Sequence, residues 1–363
     1  MRPRWIVPSM LAAVVALSAP VALGGSVPAG AASSCTARAF VANNADGTLS
    51  VLDVATDSVL GTPFAFGGSP QAVATSSDGQ RVYVTDGGGT TMKVLDAATG
   101  TVLASVDVGA SPVALAVSPD WHTGYVAHFF LGSTVTVVDL DTNTVDGSPI
   151  TVGSGPSDVA FSPDGAHAYV PNFDGTTVSV IDTATRVATS VEVGANPISV
   201  AVSPDGSKVY VGHGAPGNTV TVIDTATNTV TSAITVGTNV GGIAFTPDGS
   251  TAFVAVFGAS SVVVVDVATA AVTGAPIAVG SGPSDIVVTS DGSRAYVTDT
   301  NSSPGSVSAI DVATRTTVAT ISVGTSPEGI AVTPCTTPLT PLTPVTPVAP
   351  APAALTAAPR FTG

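Results

Sequence analysis

Apolar residues in this chain cluster in short segments bounded by Gly, Pro, Asp or Asn and rich in Val, Ile, Thr and Tyr. Such segments with turn residues between them are typical of β-strands. Nowhere in them does an apolar spacing of three and four persist over helical length. The pattern therefore predicts an all-β fold. One unit, from Pro197 to Gly237, illustrates the predicted strands: Ile198–Ser203, Lys208–Gly212, Thr219–Asp224 and Thr229–Val236.

The third strand of this unit carries a tag that recurs along the chain, (Thr/Ser)-Val-x-Val-(Ile/Val)-Asp or a close variant. Successive tags lie 43, 43, 43, 42, 42 and 45 residues apart. A period of about 40–45 residues with four strands per unit indicates the blades of a β-propeller. The tags end at Asp53, Asp96, Asp139, Asp182, Asp224, Asp266 and Asp311.

The two ends of the repeat complete each other. The first strand, Ala39–Asn43, corresponds to a second strand of the unit, and the last, Gly329–Thr333, to a lone first strand. One blade is therefore expected to combine one C-terminal strand with three N-terminal strands, a Velcro closure that removes exposed sheet edges. The sequence predicts seven four-stranded blades.

The turns account for much of the acidity. Asp-Gly between the first and second strands suits a tight turn in which Gly takes a positive φ. The Asp that ends each tag suits an Asx turn toward the fourth strand. The Asp-Gly pairs begin at Asp78, Asp164, Asp205, Asp248 and Asp291.

Four second strands carry a Tyr-Val-Thr-Asn tetrapeptide or a near copy, beginning at Phe40, Tyr83, Tyr169 and Tyr296. Together with the repeated Val-Gly-x-x-Pro and Ser-Pro-Asp-Gly elements, these residues make the chain resemble the YVTN-family β-propellers (YncE-like proteins) over Arg38 to Pro334. The resemblance implies a secreted or cell-surface propeller. It also implies lactonase-type and lyase-type enzymes as structural relatives.

The ends of the chain predict export. Residues 1–31 combine a basic start, an apolar run (Trp5–Leu23) and the small residues Ala29–Ala31, which is typical of a secretory signal peptide. The propeller is predicted over residues 35–335. Residues 336–363 form a Pro/Thr/Ala-rich tail that cannot build a packed core and suits a cell-wall-associated stalk. We expect a secreted, extracellular protein.

The net charge of the chain limits which classes of partner it can bind. A formal net charge of −15 disfavours binding to nucleic acid phosphates. Beyond the leader, no apolar stretch reaches the ~20 residues of a transmembrane helix. We expect a monomer without a membrane span.

The two cysteines, Cys35 and Cys335, both align with Asp205, the turn between first and second strands. In the blade built from both chain ends, that turn is where the chain is interrupted. Facing turn positions lie within disulfide distance, so we expect a bond between Cys35 and Cys335. A lipid-modified Cys35 after the poor lipobox Ala32–Ser34 and two free thiols are the alternatives.

The fourth residue of each Tyr-Val-Thr-Asn position should form a ring on the face where ligands usually bind. Its His and Asp members, Asp86, His128, His213 and Asp299, are candidate ligands for a divalent cation. The alternative is that polar residues here cap the loops between second and third strands. The full ring is Asn43, Asp86, His128, Asn172, His213, Val256 and Asp299.

Asp158 and Asp285 are a second set of candidates. Each follows Gly-Pro-Ser at the start of a first strand, where the other units carry Ala, Ser or Gly. A carboxylate near the channel mouth is costly unless it is paired, hydrated or used. Asp158, Asp285, His128 and His213 are therefore candidate catalytic residues, with Glu328 as an additional member. Aspartates bonded to backbone amides are the alternative.

Four phenylalanines, Phe129, Phe130, Phe173 and Phe257, lie in the loops after second strands rather than at the recurring core position. They are candidates for a contact surface for a protein, a peptide or a cell-wall glycan. Packing back onto neighbouring blades is the alternative.

Two functions follow from these residues. The first is a non-enzymatic binding scaffold that acts through its loop face and needs no cofactor. The second is a lactonase- or lyase-type enzyme with a polar site at the channel mouth and a divalent cation. If the enzyme hypothesis holds, the two Asp and two His should face one cavity.

Overall fold

A computed structural model describes residues 37–129 and 132–334. They form seven antiparallel sheets, six of which have their strands in chain order, while the seventh pairs the last described strand with the first. The sheets are arranged radially, so that the innermost strands of neighbouring blades contact one another around the centre. This is the predicted all-β, seven-bladed propeller. Blade 1 contains both chain ends, and blades 2 to 7 follow in sequence. The described residues contain a single 3₁₀ turn, Phe257–Ala259, and none of their helices is long and apolar enough to cross a membrane.

The strand bounds follow the repeat closely. From blade 1 to blade 7, the innermost strands are Pro327–Val332, Pro70–Thr75, Pro112–Val117, Ala160–Phe161, Pro197–Val202, Val240–Phe245 and Pro283–Val288. The second strands are Arg38–Asn43, Arg81–Asp86, Thr123–His128, His167–Asn172, Lys208–His213, Thr251–Val256 and Arg294–Asp299. The third strands are Thr48–Asp53, Thr91–Asp96, Thr134–Asp139, Thr177–Asp182, Thr219–Asp224, Ser261–Asp266 and Ser306–Asp311.

The outermost strands are less regular. Those of blades 1, 3 and 6 are split in two by a Gly-x-Pro segment whose glycine has a positive φ, because Pro cannot donate to the strand ladder. The outermost strands are Ser58–Val59 with Phe64–Ala65, Val102–Asp107, Thr144–Val145 with Ile150–Thr151, Val187–Glu192, Thr229–Thr235, Ala271–Val272 with Ile277–Ala278, and Thr316–Ser322.

Blade 1 confirms the Velcro closure. The C-terminal strand pairs antiparallel with the N-terminal strand, with Ala39 opposite Val332 and Val41 opposite Ile330. The pairing extends to the last described residues, where the Thr333 N–H donates to the Arg38 carbonyl at 2.8 Å. The signal peptide, the tail and both cysteines lie outside the described residues, so their roles stay predictions.

The turns form as their residues predict. The glycine of each Asp-Gly pair has a positive φ, as at Gly206 (72°). The tag aspartates accept local N–H groups; for example, Asp139 Oδ1 accepts from Thr142 at 2.8 Å. We call the side that carries these turns the lower face. The opposite side, where second strands pass into third strands, is the upper face.

The hydrophobic core lies between neighbouring blades. In one cluster, Tyr125 and Val137 of blade 3 pack with Phe161 and Val170 of blade 4. Because the alternate residues of each strand point to opposite sides of the sheet, every blade contributes to two such layers. The apolar layers between the blades therefore link the whole ring.

Candidate functional site

The polar ring at the upper ends of the second strands is interior rather than exposed. His128 and His213 are 5% and 4% exposed, and only Asp86 of the ring is half-buried. In six blades the ring residue lies against the glycine of the blade's Val-Gly element, and in blade 2 Asp86 lies against Gly68. A Cβ added at Gly153 would approach Asn172 Cγ to 2.4 Å, and one at Gly280 would approach Asp299 Cγ equally closely. The ring therefore supports the loops above the inner strands.

Both ring nitrogens of each histidine are engaged within its own blade. His128 Nδ1 lies 2.9 Å from the Ala110 carbonyl, and its Nε2 lies 2.9 Å from Thr136 Oγ1. His213 repeats this arrangement with the Ala195 carbonyl and Thr221 Oγ1. A carbonyl only accepts, so Nδ1 carries the proton. Burial lowers the pKa of both histidines, which favours the neutral imidazole. The single hydroxyl proton of Thr136 then lies between His128 Nε2 and the Val108 carbonyl, 3.0 Å away, and Thr221 repeats this with the Val193 carbonyl at 3.3 Å.

The carboxylates of the ring are held through one oxygen each. Asp299 Oδ2 accepts from Ser306 and Ser308 at 2.9 and 2.8 Å, whereas its buried Oδ1 has no hydrogen-bond partner among the described residues, and burial raises the pKa of Asp299 to about 6. Asp86 Oδ1 accepts from the Ser69 N–H at 2.9 Å. The described residues contain no group of three or more His, Cys, Asp or Glu side chains placed to hold a metal ion. The structure thus places each candidate ligand in its own blade.

The hydrogen-bond partners of the ring were missed by sequence reasoning, although the sequence carries a signal for them. The third residue of each tag changes together with the ring residue of the same blade. Asn occurs with Ser, His with Thr, and Val256 with the apolar Val263. Five such pairs are hydrogen-bonded: Asn43 with Ser50, His128 with Thr136, Asn172 with Ser179, His213 with Thr221, and Asp299 with Ser308.

Asp158 and Asp285 each connect two neighbouring blades. Asp158 is fully buried; its Oδ1 accepts from the Val159 N–H at 2.7 Å and its Oδ2 from the Val200 N–H of the next blade at 2.8 Å. Asp285 does the same with Ile286 at 2.8 Å and Ile330 at 3.0 Å. Burial raises the pKa of both carboxyls well above its usual range, and the N–H bonds oppose this. Both oxygens of each carboxyl are thus bonded to the inner strands.

Glu328 differs from the other candidates. It is 4% exposed, its Oε1 lies 3.4 Å from Ser326 Oγ, and its Oε2 has no hydrogen-bond partner among the described residues. Burial raises the pKa of Glu328 to about 8, and the charge of Asp285 adds to the effect. Glu328 is therefore the one acidic candidate on the inner strands whose carboxyl is not satisfied by the framework of the described residues.

The loop phenylalanines divide between the two alternatives. Phe129 is buried in the core and packs against Phe173 with ring centroids 5.5 Å apart. Phe173 and Phe257 remain half-buried at the upper face, and Phe130 lies outside the described residues. Phe129 therefore packs onto the neighbouring blade and does not form part of an exposed contact surface. Phe173 and Phe257 retain accessible surface on the upper face.

The comparisons with known proteins agree with this fold. Residues 5–336 match the family model described as YNCE-like beta-propeller. No curated protein matches the sequence significantly.

Solved structures with similar folds come from diverse proteins. Kuenenia stuttgartiensis hydrazine synthase is 23% identical, with 72% of this chain and 88% of that chain covered and a TM-score of 0.65. A functionally unknown protein from Desulfotomaculum acetoxidans is 17% identical, with 82% and 99% covered and a TM-score of 0.70. A 6-phosphogluconolactonase candidate from Bacteroides fragilis is 17% identical, with 84% and 99% covered and a TM-score of 0.70. At these identities the similarity shows the fold alone.

Proposed function

We propose, from the premise that this chain belongs to the YNCE-like β-propeller family, that it is an exported binding scaffold that contacts a partner through its upper face. The observation that carries the proposal is the engagement of the candidate catalytic groups by the framework. Both nitrogens of His128 and His213 and both oxygens of Asp158 and Asp285 are hydrogen-bonded within the propeller. A general base or a nucleophile must lie within hydrogen-bond reach of the substrate, whereas these side chains are buried and bonded to the framework.

The upper face offers a surface of the kind that protein and glycan partners use. Phe173 and Phe257 expose part of their rings between polar loop residues such as Asp174. Aromatic residues surrounded by a polar rim are typical of binding surfaces. A partner that is a protein, a peptide or a cell-wall glycan fits this surface.

Export and closure of the ring belong to the same proposal. The leader of residues 1–31 would direct secretion, and the tail of residues 336–363 would associate the propeller with the cell wall. In the oxidising exterior, Cys35 and Cys335 would join the two ends of blade 1.

A lactonase- or lyase-type enzyme is the second candidate, and one observation favours it. Glu328 is a buried carboxyl whose Oε2 has no partner in the described part of the chain, and such groups occur at catalytic sites. Because the charge of Asp285 acts on Glu328, a catalytic site of this kind would lie at the innermost strands of blades 7 and 1.

The two candidates separate in one set of experiments. The mature protein is immobilised and exposed to secreted proteins and cell-wall polymers, and it is assayed in parallel for hydrolysis of sugar lactones. The proposal expects saturable capture that is reduced by Phe173→Ala and Phe257→Ala, with no turnover. Turnover that disappears in Glu328→Gln, without saturable capture, would replace the scaffold with the enzyme.

A further inference from the structure

A cavity of about 270 Å³ opens on the lower face between blades 3 and 4, away from the upper-face residues discussed above. Its apolar part includes Phe161, whose ring packs against Tyr125 with centroids 4.7 Å apart. Its polar part includes Asp120, Asp164 and Arg186. A concave site with an apolar wall and a few polar groups is the usual form of a small-molecule site.

The Tyr residue equivalent to Tyr125 in blade 7 makes a hydrogen bond whose acceptor is missing at Tyr125. Tyr296 donates to Asp57 Oδ1 at 2.5 Å, and Asp57 belongs to the lower turn of the next blade. At the junction of blades 3 and 4, Arg186 occupies the position of Asp57. Arg186 bonds the Asp146 carbonyl at 2.9 Å and the Asp146 carboxylate. Tyr125 is only 2% exposed, and its hydroxyl has no hydrogen-bond partner among the described residues.

Asp120 and Asp164 at the cavity each have a carboxylate oxygen, Oδ2, whose equivalent in other blades accepts a hydrogen bond from a nearby Ser. In the lower turns of blades 5 to 7, a Ser two residues after the Asp donates to Asp Oδ2, as Ser207 does to Asp205 at 2.8 Å. Blades 3 and 4 have His122 and Ala166 at this position. Asp120 and Asp164 therefore use only Oδ1 in hydrogen bonds with the described chain.

The turn of blade 3 departs from the repeat in its backbone as well. Trp121 has a φ of 67°, where five other blades have glycine in the same conformation. A bulky residue in this region is a genuine outlier, and such strain is concentrated at functional sites. The side chain of Trp121 does not line the cavity; it packs against the apolar layer between blades 2 and 3.

The charges select the ligand. The Ser162 hydroxyl and the Ala166 N–H lower the pKa of Asp164, so its carboxylate is ionised at neutral pH. The charge of Arg186 is already paired with Asp146. The cavity therefore disfavours anions. The described residues supply no set of three acidic or imidazole ligands for a metal ion. Two acceptor oxygens, a phenol and an apolar wall match the hydroxyl donors and C–H surface of a sugar.

We propose that this lower-face cavity binds one neutral sugar unit of a glycan, with its hydroxyls donating to Asp120 and Asp164 and bonding the phenol of Tyr125. The site lies on the face opposite Phe173 and Phe257, so it stands independently of the proposed scaffold surface. A single sugar unit in a small open cavity should bind weakly, with a Kd of roughly millimolar order.

The test uses saturation-transfer NMR on the full chain with the methyl glycosides of glucose, galactose, mannose and N-acetylglucosamine. Lysine methyl ester and inorganic phosphate serve as cationic and anionic probes. We expect at least one glycoside to bind saturably, and Tyr125→Phe to weaken it about 5- to 10-fold through loss of one hydrogen bond. Asp164→Asn should also weaken binding. The matched control is Tyr210→Phe, which removes a buried hydroxyl at the same repeat position in blade 5.

Folding does not confound the main variant, because phenylalanine already occupies the position of Tyr125 in blades 1 and 6, as Phe40 and Phe253. Glycoside binding that is lost in Tyr125→Phe and kept in Tyr210→Phe supports the proposal. It is overturned if none of the four glycosides binds, if Tyr125→Phe binds as well as the unmodified chain, or if only the lysine ester or phosphate binds.

Discussion

Truncating Asp158 or Asp285 to alanine should destabilise the propeller. Each carboxyl accepts two backbone N–H groups, one from its own strand and one from the innermost strand of the next blade. The substitution leaves both donors without their partner at a fully buried position. A residue whose role is to hold two blades together costs stability when it is removed.

The expected size follows from opposing contributions. An unsatisfied buried donor costs about 1–3 kcal/mol, and there are two at each site. Removing a buried carboxyl recovers part of its desolvation cost. Water that enters the space left by the carboxyl can also bond some of the freed N–H groups. We therefore expect each alanine variant to lose about 1–3 kcal/mol of unfolding free energy.

Denaturant unfolding followed by fluorescence measures this loss, with Ser199→Ala as the matched control. Ser199 occupies the same repeat position in blade 5, and its buried hydroxyl has no partner among the described residues. Its removal should change stability by less than about 0.5 kcal/mol or increase it. If Asp158→Ala and Asp285→Ala were as stable as the unmodified chain, or more stable, the structural account of these residues would be wrong. Replacing a residue that serves a function often increases stability, because functional sites are less stable than the rest of the fold would allow.

Tyr296→Phe should lower the unfolding free energy by about 1 kcal/mol in the same assay, because the hydroxyl bonded to Asp57 and Val54 is lost. Tyr210→Phe removes an unpartnered hydroxyl and should be neutral or stabilising, so equal losses in the two variants would contradict this reasoning. The raised pKa of Glu328 means that its contribution to stability is fully present below about pH 4.5 and is lost as the pH rises to about 8. Glu328→Gln should flatten the stability profile over that range, and an unchanged profile would reject the assignment. Arg38 and Thr333 exchange hydrogen bonds, and Cys35 and Cys335 lie close to them in the sequence. The non-reduced protein should therefore lack alkylatable thiols, and two alkylated cysteines would exclude the predicted bond.

The architecture could be read from the sequence because it depends on local and repeated chemistry. The Asp-Gly turns and the tag aspartates act through their own backbone, and seven copies fix the period without long-range information. The closure of blade 1 followed because Ala39–Asn43 and Gly329–Thr333 are complementary parts of one unit. The split outermost strands were not foreseen, although the Pro in each Gly-x-Pro segment explains them.

The candidate sites were less predictable because they depend on which way side chains point. The carboxyls of Asp158 and Asp285 bond the backbone of the next blade, and Asp285 lies at a register shift between Pro283 and Ile286. The ring histidines are equivalent in sequence but separated by blade geometry. Only comparison of each ring residue with the tag residue of its own blade, such as His213 with Thr221, could have shown that they are paired internally.

The central claim is that the polar ring of the upper face is framework rather than a metal or catalytic site. Titration of the mature protein with Zn²⁺, Ca²⁺ and Mg²⁺, followed by calorimetry and by the side-chain nitrogen signals of His128 and His213, tests it most directly. The account predicts no saturable heat and unchanged signals from two neutral imidazoles with protonated Nδ1. Saturable binding that shifts both histidines and disappears in His213→Gln would contradict it.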